Sequence, residues 1–410
     1  MQPLAASERP SVTQSRSRPS EVTIVAHDVG VVGGMERILA ELALGLKRRG
    51  HDVTVIAHSC DLPAGSGVRF RRVPGPTRPF VVSYPWFMIA GTVAVRLWRR
   101  GLVLEMGAIV LNRVDMIAVQ YCQHAGPSTP SRASWPYRLN AKAAEVLGRL
   151  GERVMFARGR PARFICASEG IAEEIREHFP KQGDRAITIP NGVDLSAFAP
   201  GSRREEALAL RASLKIQGGR RLAIFVGSEW ERKGLEPVIR ALGLAEAAAW
   251  DLLVVGDGDR ERYERLAQEV GAAAAVHWLG VSRDVAPVYQ LADAFVFPTS
   301  YEGFPLVALE AAASGVPILA TPANGIRELV RDGVNGFLIS RDPAVIAQRL
   351  RELGEDDALR GRLGSAARTS ALDYSWEKMV ERHRELYESL SSEVARGRNG
   401  SRGAAGGALP

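Results

Sequence analysis

The stretch "AFVFPTSYEGFPLVALEAAASGVPILA", residues 294–320, decides the fold because it holds one complete structural unit. Ala294 to Pro298 is apolar and β-prone, a polar loop follows, Pro305 opens a run of helix formers, and Val316 to Ala320 is apolar again. Proline suits the first position of a helix because its φ is preset there and its missing N–H is not needed. Strand, helix and strand in this order make a βαβ unit, which requires a parallel sheet. Two carboxylates ride in the unit, Glu302 in the loop and Glu310 inside the helix.

Outward from this unit the same alternation fills the chain. Toward the N-terminus of the second half the strand candidates are RLAIFVG (221–227), DLLVVG (251–256) and AVHWLG (275–280), and NGFLIS (335–340) follows the opening unit. The first half repeats the plan with VTIVAH (22–27), DVTVIAH (52–58), RFRRV (69–73), AIVLN (108–112), MIAVQYC (116–122), RFICAS (163–168) and AITIP (186–190). Helical periods separate most of these runs, so the fold class is α/β, with two doubly wound domains in series. The boundary falls at IPNGVDLSAFAP, where Asn191-Gly192 and Pro200-Gly201 break the alternation. The resulting expectation is a domain over 21–190, a second over 191–372, and a last helix over 373–392. That helix turns Trp376, Met379, Val380, Leu386 and Tyr387 to one side.

The 410 residues suffice for two cores. Residues 1–20 are polar and rich in Arg, Ser and Pro, without the apolar segment of a secretory signal, and read as a disordered tail on a cytoplasmic protein. Residues 393–410 read as a second disordered tail. Cys60, Cys122 and Cys166 have no metal-ligand spacing and read as reduced core residues. Net charge is +7 and unevenly placed, since residues 21–190 hold 23 Lys and Arg against 15 Asp and Glu. A basic half either meets an anionic partner or is simply a solvated arginine-rich face.

One segment departs from the pattern. FVVSYPWFMIAGTVAVRLWRR, residues 80–100, is strongly apolar, carries Tyr84, Trp86, Phe87 and Trp98, and ends in Arg96, Arg99 and Arg100. Pro85 and Gly91 interrupt it too soon for a bilayer span. It reads either as a peripheral contact with an anionic membrane or as a packed helix with a basic end.

In doubly wound sheets ligands sit beyond the carboxyl ends of the strands, so four loops carry the chemistry. Gly33 and Gly34, in HDVGVVGGMERI (27–38), permit close backbone approach at a helix start, or a tight turn and nothing more. Arg232 and Lys233, in GSEWERKGLEP (227–237), precede a helix and suit a diphosphate. Asp257 and Asp259 form a D-x-D between glycines, which reads better as a turn with Asp259 as helix cap than as a metal site. The fourth loop places Glu302 before, and Glu310 inside, a helix whose N-terminal amides at Gly303, Phe304 and Leu306 would hold an anion. Ionised carboxylates only accept hydrogen bonds, so such a pair suits a ligand offering hydroxyls beside its phosphates.

The E-x7-E of Glu302 and Glu310 within SYEGFPLVALEAAASGVPILAT resembles the signature of glycosyltransferase family four. GGMER, IPNGVD, Lys233-Gly234, GDG and GIRELVRDGVNGFL follow in that family's order over residues 21 to about 390. GSEWERKG and MIAVQYCQHAG are similar to the branch that holds lipopolysaccharide core glucosyltransferases. The resemblance implies a GT-B fold of two facing Rossmann-like domains, with the final helix crossing back to the first. It implies retaining, metal-independent transfer without a cofactor, from a nucleotide-sugar in the second domain to a glycan or lipid-linked acceptor in the first. By position, Glu310 would bind ribose, and Glu302 with Gly303, Phe304, Pro305 and Leu306 the donor sugar. Lys233 and Arg232 would neutralise the diphosphate, with Gly33 and Gly34 near it. His124 would lie near the reactive face of the sugar or be structural, since QYCQHAGP departs from the commoner H-D-P context, and Gly227-Ser228 stands where many members read GR.

The GSEWERKG resemblance favours UDP-glucose or a similar donor ahead of GDP-mannose, while the basic first half and the 80–100 segment suggest a lipid-linked or envelope glycan, in cell-envelope or exopolysaccharide synthesis at the cytoplasmic membrane face, with no nucleic-acid partner. Rival readings are another GT-B enzyme, a sugar phosphorylase or nucleotide-sugar epimerase, and a non-catalytic membrane-surface binding protein. A Rossmann dehydrogenase is disfavoured because G-x-G-x-x-G with its trailing acid is absent.

Overall fold

The computed structural model describes residues 21–404 apart from 32, 127–134, 160, 217 and 218. Residues 1–20 and 405–410, read as tails, lie outside the described residues. The first sheet has seven parallel strands: β1 (Glu21–Val25), β2 (Asp52–Ala57), β3 (Arg69–Arg72), β4 (Leu102–Met106), β5 (Met116–Val119), β6 (Arg163–Cys166) and β7 (Ala186–Thr188), in the order β3-β2-β1-β4-β5-β6-β7. The second has six: β8 (Arg221–Val226), β9 (Trp250–Val255), β10 (Val276–Gly280), β11 (Ala294–Phe297), β12 (Ile318–Ala320) and β13 (Gly336–Leu338), in the order β10-β9-β8-β11-β12-β13. Both orders reverse direction after their third strand, the fourth pairing beside the first, as in the doubly wound nucleotide-binding plan. The crevice at each reversal, beside β1 and β8, is where such sheets bind ligands.

Strands buried on both faces are continuous apolar runs, and β1, β2, β8, β9 and β11 are buried along almost their whole length. One strand departs from expectation. The segment AIVLN (108–112) is not a strand; β4 lies just before it, at Leu102–Met106. Glu105 lies in β4. Its side chain is buried, and its Oε1 accepts the backbone N–H groups of Ile109 and Val110, the latter at 2.7 Å. The carboxylate therefore caps the loop that the apolar pattern had marked as a strand. Burial pushes its pKa up to about 8.

Helix α1 (Gly34–Arg48) follows the glycine loop, and the final helix α8 (Trp376–Ala404) returns to it. Trp376, Met379, Val380, Tyr387 and Leu390 are buried against the first domain, each worth about 1.5–3 kcal/mol of transfer free energy. A Cβ on Gly45 of α1 would lie 2.5 Å from Val380, so glycine lets the two helices approach. The expected end of the crossover at 392 is corrected: the helix runs to Ala404, into the segment read as a disordered tail. No proline stops it, and Arg and Ala are good helix formers that offset glycine, which costs about 1 kcal/mol.

Helix α2 (Phe80–Trp98) is continuous through Pro85 and Gly91, contrary to the expected interruption. Pro85 sits in the second turn, where it removes a single bond, and Gly91 packs close to Phe87 and Val110. Tyr84, Phe87, Gly91 and Val95 face the sheet, while Val82, Trp86, Ile89, Val93 and Leu97 form an exposed row on the other side. By length and composition α2 is long and apolar enough to cross a membrane, with 28% of its window buried. Cys122 and Cys166 are buried, and Cys60 is half-buried; all three are free thiols.

Candidate active site

The loops at the reversal of the second sheet bring the predicted residues together. From β8 the chain turns at Gly227 into the short helix α5 (Trp230–Lys233), then through left-handed Gly234 (φ 84°) into α6 (Leu235–Leu242). From the adjacent β11 it passes Glu302 and enters α7 (Leu306–Ala313) behind Pro305. A Cβ on Gly227 would lie 2.4 Å from Lys233 Nζ, so the lysine folds back over the strand end, 5.6 Å from the Phe297 ring. Burial lowers the Lys233 pKa, and Glu302 and Glu310 both act to raise it. The lysine is thus electrostatically coupled to both carboxylates.

Arg232 Nη1 pairs with Glu302 Oε1 at 2.8 Å, and the Thr299 hydroxyl donates to the same oxygen at 3.0 Å. Burial works against the Arg232 charge, but Glu302 and Glu229 outweigh it and raise its pKa. Glu302 Oε2 has no protein donor among the described residues. Beside it, the amides of Gly303, Phe304 and Leu306 also lack a protein acceptor among the described residues, as the first N–H groups of a helix do. Asp259 caps the helix Arg260–Glu269 by accepting the Arg262 N–H at 3.2 Å, which supports the turn reading of the D-x-D. Among the described residues, no group of three or more His, Cys, Asp or Glu could hold a metal ion.

Glu310 is buried in α7, with Arg37 Nη1 at 2.8 Å from Oε1 and the Tyr289 hydroxyl donating to Oε2 at 3.0 Å. Burial raises its pKa, opposed by Arg37, Tyr289 and Lys233. Arg37 belongs to α1, in the first domain, so this ion pair crosses the cleft. Other contacts close the same seam. Asn191 Nδ2 donates to the Phe304 carbonyl at 3.0 Å and to Gln120 Oε1 at 2.9 Å. The Tyr301 hydroxyl donates to Glu174 at 2.7 Å and accepts the Cys122 N–H at 3.3 Å.

The two domains of this chain match two family profiles. "Glycosyltransferase Family 4" covers residues 32–197 and "Glycosyl transferases group 1" covers 207–370. A D-inositol 3-phosphate glycosyltransferase of Geodermatophilus obscurus is 30% identical over 406 residues, 89% of this chain and 87% of that protein. The chain belongs to glycosyltransferase family 4. Among solved structures, WaaG, a glycosyltransferase involved in lipopolysaccharide biosynthesis, superposes with a TM-score of 0.73 at 21% identity, over 89% of this chain and 99% of its own. HepE of Anabaena, in complex with UDP-glucose, gives 0.68 at 17% identity, over 90% and 99%. These likenesses place this family 4 glycosyltransferase in the GT-B fold.

The glycosyltransferase gathers Arg232, Lys233, Glu302, Gly303, Phe304, Pro305, Leu306 and Glu310 on the second-domain side of the cleft. Gly33, with φ 95°, precedes α1, and a Cβ there would strike the Glu36 carboxylate, so Gly33-Gly34 is a helix-opening turn in this structure. His124 is tied down within the first domain. Its Nδ1 lies 2.8 Å from Glu152 Oε2 and its ring packs 5.0 Å from Phe179. Burial raises the Glu152 pKa, while backbone donors and His124 oppose it. First-domain groups that meet the Glu302 loop include Gln120, Cys122 and Glu174, and Arg37 meets Glu310.

Proposed function

We propose that this glycosyltransferase moves a hexose from a nucleoside-diphosphate sugar to a glycan or lipid-linked acceptor, with retention at the anomeric carbon. One observation carries the reading: two carboxylates and a lysine coupled to both stand at the sheet reversal, beside unpaired helix-start amides. Glu302 accepts hydroxyls of the donor sugar and Glu310 those of the ribose. The diphosphate lies between them on Lys233 and the amides of Gly303 to Leu306. As the bond from the anomeric carbon to the phosphate oxygen breaks, negative charge grows on the diphosphate, and preorganised positive groups there supply the largest share of catalysis. The acceptor hydroxyl attacks on the leaving-group face and gives its proton to a β-phosphate oxygen, so nucleoside diphosphate and glycoside leave. Lys233 and the helix start carry the charge without requiring a metal ion.

A UDP-hexose is the favoured donor, ahead of GDP-mannose, a reading supported by HepE, which was solved with UDP-glucose. The exposed apolar row of α2 with Arg96, Arg99 and Arg100 supports an acceptor presented at the cytoplasmic membrane face, in envelope or exopolysaccharide synthesis. The relative named for D-inositol 3-phosphate supports a second reading, a soluble inositol-phosphate acceptor. Incubation with UDP-glucose, UDP-galactose and GDP-mannose, with and without acceptor lipids and inositol phosphate, separates these. Release of nucleoside diphosphate that depends on acceptor is expected, and Lys233→Ala, Glu302→Ala and Glu310→Ala each lower it by at least about a hundredfold. Wild-type turnover in all three variants would sink the assignment.

A further inference from the structure

Glu310 presents an electrostatic problem that its own domain does not solve. It is 4% exposed and sits on a helix whose neighbours are apolar. A carboxyl so placed favours its neutral form, which offers one acceptor fewer to a ribose diol. The groups facing it come from three other elements. Arg37 reaches from α1, Tyr289 from the helix Ala286–Leu291, and Lys233 from α5. Tyr289 carries no positive charge, and Lys233 divides its attraction between Glu302 and Glu310. The helix Asp357–Ala371, packed along α7, spends its Arg368 on the Ala313 and Leu195 carbonyls at 2.7 and 3.0 Å.

Arg37 is built for the task. Its guanidinium lies 5.8 Å from the Trp376 ring of the crossover helix and 5.9 Å from the Phe198 ring of the second domain. Rings on these two elements hold the cation against the buried carboxylate, although a quarter of the arginine side chain stays exposed. Asp194 and Glu41 are the acidic groups whose charge it also feels. The arginine occupies Oε1 only, and each carboxylate oxygen has two lone-pair directions, so Arg37 and ribose hydroxyls can be held together.

We infer that Arg37, a first-domain residue, is the positioning residue that keeps Glu310 ionised and aimed for the ribose of the donor. The inference rests on the ribose reading of Glu310 and adds that the nucleotide site is completed from across the cleft. It separates two opposite effects of removing the arginine: a counter-ion's loss weakens nucleotide binding, and a competitor's loss tightens it.

UDP and GDP binding by calorimetry, on the full chain from pH 7 to 9, tests this with Arg37→Met and Arg37→Lys. Arg37→Met is expected to bind the preferred nucleotide about tenfold or more weaker than wild type at pH 7, the gap closing as pH rises, because a raised carboxyl pKa costs a factor of ten per pH unit below it. Arg37→Lys is expected to restore most of the affinity and flatten the profile. In a Glu310→Gln background, Arg37→Met is expected to add no pH dependence, which also guards against general misfolding. A pH-independent ratio, or tighter binding by Arg37→Met, would overturn the inference while leaving the donor site standing. A wild type that binds neither nucleotide would overturn the donor reading and this inference with it.

Discussion

Gly303→Ala isolates domain closure from everything else the site does. Gly303 is buried before α7, and a Cβ built on it would lie 1.9 Å from the Gln120 carbonyl oxygen of the first domain. Real Cβ contacts below 3.0 Å are essentially never found, so the two loops must part by about 1.1 Å. The obstacle is backbone, and no rotamer change relieves it. Gly303 is not among the glycines with positive φ, so alanine is tolerated locally, and the clash exists only when the domains meet. A displacement of about 1 Å at a reacting centre costs on the order of a hundredfold in rate. Stopped assays of nucleoside diphosphate release should therefore show kcat/KM about a hundredfold lower. Nucleotide affinity should change by no more than about threefold, because Arg37 has a long side chain that follows a 1 Å shift. The melting temperature should move by only a few degrees. Wild-type turnover by the alanine variant would refute the claim that this contact is part of the reacting geometry.

Two other outcomes are expected from groups outside the cleft. Burial holds the Glu105 pKa near 8, above its unfolded value of 4.5, so the folded state keeps a proton that the unfolded state releases. Its contribution to stability therefore falls as pH rises from about 5 to 8. Thermal unfolding across that range should show the decline, and Glu105→Gln, which still accepts from Ile109 and Val110, should flatten it; an unchanged slope would remove Glu105 as its source. Wild-type protein should sediment with anionic vesicles at low salt, and Arg96, Arg99 and Arg100 together replaced by alanine should weaken that roughly a hundredfold, at about 1 kcal/mol per arginine. Trp86 fluorescence should shift to the blue on vesicle binding, and no shift with unchanged sedimentation of the variant would take the membrane away from α2.

What the sequence reveals depends on how far apart the interacting residues lie along it. The opening stretch is legible because its strand, loop and helix are contiguous, and Glu302, Gly303, Leu306 and Glu310 stand in the structure at the strand-to-helix junction that their spacing implies. Strand β4 was misplaced because AIVLN is as apolar as a strand, whereas the backbone there forms a loop tied to the buried Glu105 by two amides four and five residues on. Arg37, Gln120, Asn191 and Tyr301 were missed as site residues because their partners sit 71 to 273 positions away. Arg37 had one signal, its place in GGMER next to the two glycines that were read. Asn191 marked a boundary, and the structure shows why a boundary needs it: one amide side chain joins both domains at Gln120 and Phe304.

The two carboxylates differ in the origin of their counter-ions, and that difference orders the events of binding. Arg232 comes from the same domain as Glu302, a few residues beyond an adjacent strand, so the end of the site proposed to hold the sugar keeps its charge and orientation whatever the position of the other domain. Arg37 comes from the facing domain, so on the inference above Glu310 becomes a good acceptor only when the two domains meet. A donor can thus first be held by its sugar and diphosphate on the second domain alone. On the proposed assignment, ribose recognition then rewards closure, which is the same movement that seats Gly303 against Gln120. Coupling of this kind makes the free energy of nucleotide binding depend on domain position, and the domain position depend reciprocally on nucleotide.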